Sequence, residues 1–159
     1  MAVRRFGFRV NGVEREVEAA EGMPLLYALR HELGLKGTRF GCGAQQCGAC
    51  HVLIDGQSLP SCDAPLWSVA GKSVLTVEGL SEDGRLPPLQ QPNLDDQSRH
   101  SAYCLSGMLN SALALLQKEP QPDEARVRAA LDPHLCRCGS HQRIVRAVLR
   151  AAQTMREPA

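Results

Sequence analysis

Three cysteines fall inside nine residues, Cys42-Gly43-Ala44-Gln45-Gln46-Cys47-Gly48-Ala49-Cys50, and a fourth, Cys62, follows after eleven more. This spacing puts three thiols in one glycine-punctuated loop and the fourth at the end of a hairpin. Gly41, Gly43 and Gly48 lack Cβ, so the loop can take left-handed or strained dihedrals and bring its backbone close to whatever the sulfurs hold.

C-x4-C-x2-C with a distant fourth cysteine is the ligand spacing of plant-type [2Fe-2S] clusters. A cluster held by four thiolates carries net negative charge, and the wrapping loop must turn backbone N–H groups toward its sulfurs. A structural zinc site favours two close pairs, C-x2-C…C-x2-C, over three thiols in one loop. The expected ligands of a first [2Fe-2S] cluster are therefore Cys42, Cys47, Cys50 and Cys62.

With 159 residues, 43% hydrophobic and 22% charged, the composition reads as globular, in one domain or two small ones. A domain below about 80 residues seldom builds a sufficient core alone, and a bound metal centre is a usual supplement. The net charge of +1, with Lys and Arg spread along the chain, gives no reason to expect nucleic acid. No apolar run reaches the roughly 18 residues of a membrane span. Arg4-Arg5-Phe6-Gly7-Phe8 lacks the apolar segment and cleavage site of a twin-arginine signal and reads as a first strand. Seven cysteines in metal-ligand spacings fit assembly in a reducing cytoplasm, with export alongside a partner left open.

Phe6, Phe8 and Val10 alternate with other residues, Asn11-Gly12 supplies a tight turn, and Val13 and Val17 continue the apolar face on a second strand. Pro24 opens a short helix carrying Leu25, Leu26, Leu29 and Leu33, with Gly34 as its stop. After the cysteine loop, His51 to Ile54 reads as a strand turned by Asp55-Gly56, and Ser73 to Val77 as another. The expected class is α+β: a β-grasp ferredoxin-like domain over residues 1–80, then an all-α domain over 98–159. Between them, 81–97 reads as a linker, rich in Pro, Gly, Asp and Gln, with Pro87-Pro88 and Pro92-Asn93. In the second domain Leu105, Met108, Leu109, Ala112, Leu113 and Leu116 mark one helix ending before Pro120. Pro122-Asp123-Glu124 starts another, and Ile144, Val148 and Ala152 line a third.

A second cysteine set lies in the helical half: Cys104 near the start of its first helix, and Cys136-Arg137-Cys138 between the other two. Cys104 alone reads as a small buried hydrophobe. Three thiols converging from two helix connections suggest another metal site.

Phe40-Gly41-Cys42-Gly43, Cys47-Gly48-Ala49-Cys50, Ser61-Cys62, Val77-Glu78-Gly79-Leu80, Pro88-Leu89-Gln90-Gln91, Tyr103-Cys104, Gly107-Met108 and Leu135-Cys136-Arg137-Cys138 stand in one order along almost the whole chain. In these motifs the chain resembles the small iron-sulfur subunit of the xanthine oxidase family of molybdenum hydroxylases. Cys138-Gly139-Ser140-His141, where many relatives have Thr-Gly-Tyr after the cysteine, is more similar to the isoquinoline 1-oxidoreductase and nicotinate dehydrogenase type. The resemblance implies a ferredoxin-like domain with one [2Fe-2S] cluster and a four-helix-type domain with a second, nearer the molybdopterin of a large subunit. The second cluster's ligands would then be Cys104, Cys136 and Cys138. The family usually has Cys where this chain has Ser101, so the fourth ligand is Ser101 through oxygen, His100 or another nearby histidine, or the site is empty or altered. We expect a retained second cluster, since three ligands persist.

His134 and His141 lie beside that site and read most simply as capping or partly exposed residues. His51 is expected to face solvent on its strand, His31 to sit on the surface of the short helix, and Trp67 to serve core packing or a subunit contact. The activity implied is oxidation of a substrate C–H or aldehyde in the large subunit, with this chain, which carries no catalytic residue of its own, taking electrons from molybdopterin to a flavin subunit or a cytochrome. Two other classes stay open: a stand-alone ferredoxin, which leaves the helical half without purpose, and a module whose C-terminal thiols bind zinc or sense redox state.

Overall fold

The computed structural model describes residues 3–81, 89–95, 97 and 103–155. Pro87-Pro88, His100 and Ser101 lie outside the described residues. Strand β1 (Val3–Val10) returns as β2 (Val13–Ala20) through Asn11 and Gly12, both with positive φ, at 51° and 81°. That is the mirror-image two-residue turn whose twist matches paired strands. Phe6, Phe8, Val10, Val17 and Ala19 point into the core. Val13 does not: it stands exposed at the start of β2, which is the sheet's edge strand.

Helix α1 (Leu25–Tyr27) runs into a π-helical turn, Ala28–Glu32, and Gly34 at φ 70° ends it. So short a helix is marginal by propensity alone. Complete burial of Leu25 and Leu29 against the sheet, and of Leu26 over Cys50 and Cys62, roughly 2 kcal/mol each, holds it in place. Strands β3 (His51–Ile54) and β4 (Gln57–Pro60) form a second hairpin, again through a two-residue turn with positive φ, Asp55-Gly56. After α2 (Leu66–Val69), β5 (Ser73–Leu75) enters the middle of the sheet, parallel to β1 and antiparallel to β3. The order is β2-β1-β5-β3-β4. The strand expected to reach Val77 stops at Leu75, and Val77–Leu80 forms a 3-10 turn.

Helix α3 (Gln90–Asp95) lies within the stretch expected to be a linker. Proline misled the reading there. Pro92 sits in the first turn, where an N–H has no intrahelical partner to lose, and Leu89 and Pro92 are buried. Helices α4 (Leu105–Lys118), α5 (Glu124–Leu131) and α6 (His141–Thr154) follow. Asp123 caps α5 by accepting the Arg126 N–H at 2.8 Å. Ile144, Val145, Val148 and Ala151 of α6 join Met108, Leu109, Val127 and Leu131 in a second core.

Helix α4 also packs on β3. That contact buries all four residues of β3, since Val52 and Ile54 face the first core while the other face meets α4. His51, expected in solvent, is consequently only 7% exposed. Trp67, at 59% exposed, is not a core residue. No helix among the described residues is long and apolar enough to cross a membrane.

Candidate metal centres

The loop 41–50 is built by its backbone. Gly43, Gln45 and Gly48 all take positive φ, at 67°, 60° and 73°. Cys42 Sγ accepts the N–H groups of Ala44 at 3.3 Å and Gln46 at 3.2 Å, and Cys47 Sγ accepts that of Cys42 at 3.3 Å. The N–H groups of Ala44 and Gln46 hold the exposed Cys42 thiol down at about 7. A Cβ on Gly41 would stand 2.5 Å from Cys47 Sγ, so only glycine lets the backbone lie this close to sulfur.

Cys50 and Cys62 form a buried pair under Leu26. Ser61, between β4 and Cys62, ties them: its N–H and Oγ donate to Cys50 O at 3.2 and 2.7 Å. Burial pushes the Cys50 thiol up to about 11, with Cys62 adding to the effect. Arg30 of the π turn clamps the entry to the loop by donating to Lys36 O and Thr38 O at 2.9 and 2.7 Å. Gln45 reaches across to Asp63 beside Cys62.

At the second set, Cys104 ends the turn before α4 and interacts with Cys136. Burial, then Cys136, pushes the Cys104 thiol up to about 12. Burial works against ionisation of Cys136 too, but hydrogen bonds from Ser140 and Cys104 outweigh it and bring that thiol down to about 7. Ser140 Oγ lies 3.5 Å from Cys136 Sγ. Among the described residues no three Cys, His, Asp or Glu side chains are grouped to hold a metal ion. The sulfurs interact as Cys42 with Cys47, Cys50 with Cys62 and Cys104 with Cys136, with Cys138 acting on both Cys104 and Cys136. A binuclear cluster on four cysteines asks each iron for only two. The donor set and the N–H cradle at the first site fit a [2Fe-2S] cluster; the three described thiols of the second fit one short of a ligand.

The two sets are joined. Leu135 N donates to Cys47 O at 3.0 Å, so a ligand candidate of one loop touches the neighbour of Cys136. His134 is 2% exposed, not a partly exposed cap, with Nδ1 at 3.1 Å from Gly48 O and Nε2 at 2.7 Å from Ser111 Oγ. Ser111 Oγ lies 2.6 Å from Ser58 Oγ, which lies 2.9 Å from His51 Nδ1. The two imidazoles meet edge to face at 4.8 Å, and Asn110 Nδ2 donates to His51 O. Burial, reinforced by His51, pulls His134 down to about 4, and burial lowers His51. His141, first in α6, has Nε2 3.1 Å from His134 O, and His31 is exposed as expected. Asn110, Ser111 and Ser58 were missed from sequence, and Ser140 was read only as part of the Cys138-Gly139-Ser140-His141 motif. The available signal was Asn110-Ser111 set among the apolar residues of α4.

The sequence family described as "2Fe-2S iron-sulfur cluster binding domain" matches residues 8–76, and the "[2Fe-2S] binding domain" family matches 76–149. A nicotinate dehydrogenase subunit of Pseudomonas putida is 45% identical over 150 residues, covering 94% of this chain and 96% of that protein. The chain belongs to the small [2Fe-2S] subunits of the xanthine oxidase family. The alpha subunit of isoquinoline 1-oxidoreductase from Brevundimonas diminuta is 46% identical, covering 92% of this chain and 96% of that one. Within the family, the crystal structure of quinoline 2-oxidoreductase from Pseudomonas putida 86 superposes on this chain with a TM-score of 0.93. Its sequence identity is 34%, over 97% of this chain and 96% of that one. Both halves of the molecule, ferredoxin-like and helical, are therefore family architecture.

Proposed function

We infer that this chain is the electron-transfer subunit of a molybdenum-dependent hydroxylase or dehydrogenase, working beside a large subunit that carries molybdopterin and the substrate chemistry. The observation that carries the reading is the cysteine loop itself. Its sulfurs accept backbone N–H groups from Cys42, Ala44 and Gln46 before any metal is considered. Donors fixed in that way favour the added negative charge of a reduced cluster over the oxidised one.

Cys42, Cys47, Cys50 and Cys62 would hold the first [2Fe-2S] cluster, with Cys42 and Cys47 on one iron and Cys50 and Cys62 on the other, following their pairing. Cys104, Cys136 and Cys138 would hold the second, with Ser101 or His100 as fourth ligand. Each cluster supplies acceptance and release of one electron. The chain's own contribution is to fix ligand identity, burial and hydrogen bonds to sulfur, the levers that set a cluster's potential. Its domains run over 1–80 and 98–159. Its terminal acceptor is a flavin subunit or a cytochrome, and the thiol-rich, disulfide-free design suits assembly in the cytoplasm.

Purifying the chain with its co-purifying subunits tests this. We expect four irons and four sulfides per chain, two distinct [2Fe-2S] EPR signals after reduction, and molybdenum in a larger partner. Two irons with one signal would confine the reading to the first site, and zinc in place of the second pair would support the module reading. An iron-free complex would overturn it.

A further inference from the structure

His134 belongs to the helical half, yet its ring is fastened to the first thiol loop. Gly48 O can only accept, so His134 Nδ1 carries the proton and donates to it at 3.1 Å. A neutral imidazole carries one ring proton, so with that proton on Nδ1 the Nε2 atom accepts the Ser111 hydroxyl at 2.7 Å. Ser111 oxygen then takes the Ser58 hydroxyl at 2.6 Å, and Ser58 oxygen takes His51 Nδ1–H at 2.9 Å. One carbonyl thus sets the direction of four hydrogen bonds, all pointing from His51 through both serines and His134 to Gly48. Such aligned chains polarise and strengthen one another in a buried setting.

Gly48 O is held from further sides. His51 N donates to it at 3.1 Å, and Gly107 of α4 packs so closely that a Cβ there would stand 2.1 Å away. A Cβ on Gly48 would stand 2.3 Å from His134 Nδ1. In a trans peptide the C=O and the next N–H point in opposite directions. Fixing Gly48 O toward His134 therefore turns the N–H of Ala49, the residue before Cys50, the other way.

We propose that His134 is a positioning residue for the first cluster: by holding Gly48 O it aims the Ala49 N–H at cluster sulfur and so raises that cluster's reduction potential. The proposal rests on the reading that Cys42, Cys47, Cys50 and Cys62 hold a [2Fe-2S] cluster. An N–H aimed at sulfur stabilises the more negative, reduced state. The helical half thereby tunes a centre whose ligands all lie in the other half.

EPR-monitored redox titration of the intact complex tests it, with the first cluster's midpoint as the readout and the second cluster's as the internal control. His134→Leu removes the donor at similar bulk, and its first-cluster midpoint should move negative by about a tenfold change in the reduction equilibrium, ~59 mV for a one-electron couple. His134→Asn puts an amide donor where Nδ1 stands and should return most of the shift. Ser111→Ala keeps the donor but ends the polarised chain, and should shift less in the same direction. An unmoved first-cluster midpoint in His134→Leu, or equal shifts in the Leu and Asn variants, overturns the proposal. If His134→Leu fails to assemble, Ser111→Ala decides alone: a negative shift supports the assignment and an unchanged midpoint overturns it. Wild-type complex without iron at the first site would sink the cluster reading instead, and this proposal with it.

Discussion

The first thiol set is gathered mostly by ten residues of chain, whereas Cys104 meets Cys136 and Cys138 only because α4, α5 and the turn before α6 fold together. The first is therefore a local structure, fed by its own backbone N–H groups. The second is a tertiary structure, and the Cys136 sulfur there is met by the Ser140 and Cys104 side chains as well as by backbone groups of Cys138 and Ser140. Local construction tolerates change elsewhere in the fold; tertiary construction does not. In both sets one accessible thiol is lowered to about 7, Cys42 or Cys136, and a more buried one is raised, Cys50 or Cys104. Metal binding must take the proton from the raised member.

The strongest break of this comparison is Cys47→Ser. It removes a thiolate ligand while leaving the Cys47 carbonyl that receives Leu135 N, so the docking of the helical half survives. The expected outcome is loss of the first EPR signal and of turnover with the natural acceptor, with the second signal and the molybdenum content kept. Unchanged turnover would remove the first cluster from the electron route. Ser101→Cys probes the other side. It should preserve assembly and shift the second cluster's midpoint alone; an identical midpoint would show that position 101 is not a ligand.

Glycines sharpen the contrast at smaller cost. Gly48 and Gly139 have nearly the same φ, 73° and 69°. At Gly48 a new Cβ meets Pro133 O at 2.7 Å and His134 Nδ1 at 2.3 Å, while at Gly139 nothing lies within 4 Å. Both alanine variants carry the left-handed backbone penalty of about 1–2 kcal/mol, and Gly48→Ala adds overpacking of about 1–3 kcal/mol. Thermal unfolding of the complex should therefore rank Gly48→Ala well below Gly139→Ala. Equal melting temperatures would mean that the first loop is not wedged against the helical half.

What could be read from the sequence follows the same division. Both hairpin turns, Asn11-Gly12 and Asp55-Gly56, and the helix starts at Pro24 and Asp123 were legible because each is a short-range signal. The cysteine loop was legible for the same reason. His51 was misplaced because period-2 alternation cannot say that a helix covers the second face of β3. His134, Ser111 and Ser58 were not seen as a set because their partners lie 23 and 53 residues apart in the chain. Pro92 was read as a breaker because its position in a first turn depends on where α3 begins, and only Leu89 docking in the core fixes that.

The mildest prediction asks whether the two halves unfold as one. Asp123→Ala removes the side-chain acceptor of the Arg126 N–H at the start of α5, a loss of about 1 kcal/mol. For a chain of this size that lowers the melting temperature by about 2–4 °C. Helix α5 packs on α4 and α6, and its last residue, Leu131, accepts the His134 N–H at 2.9 Å. If the helical half alone weakens, the second cluster should be lost first on heating while the first persists. Simultaneous loss of both signals would instead mean that the buried chain from His51 to Gly48 couples the halves into one cooperative unit, and that the local character of the first site ends at Gly48.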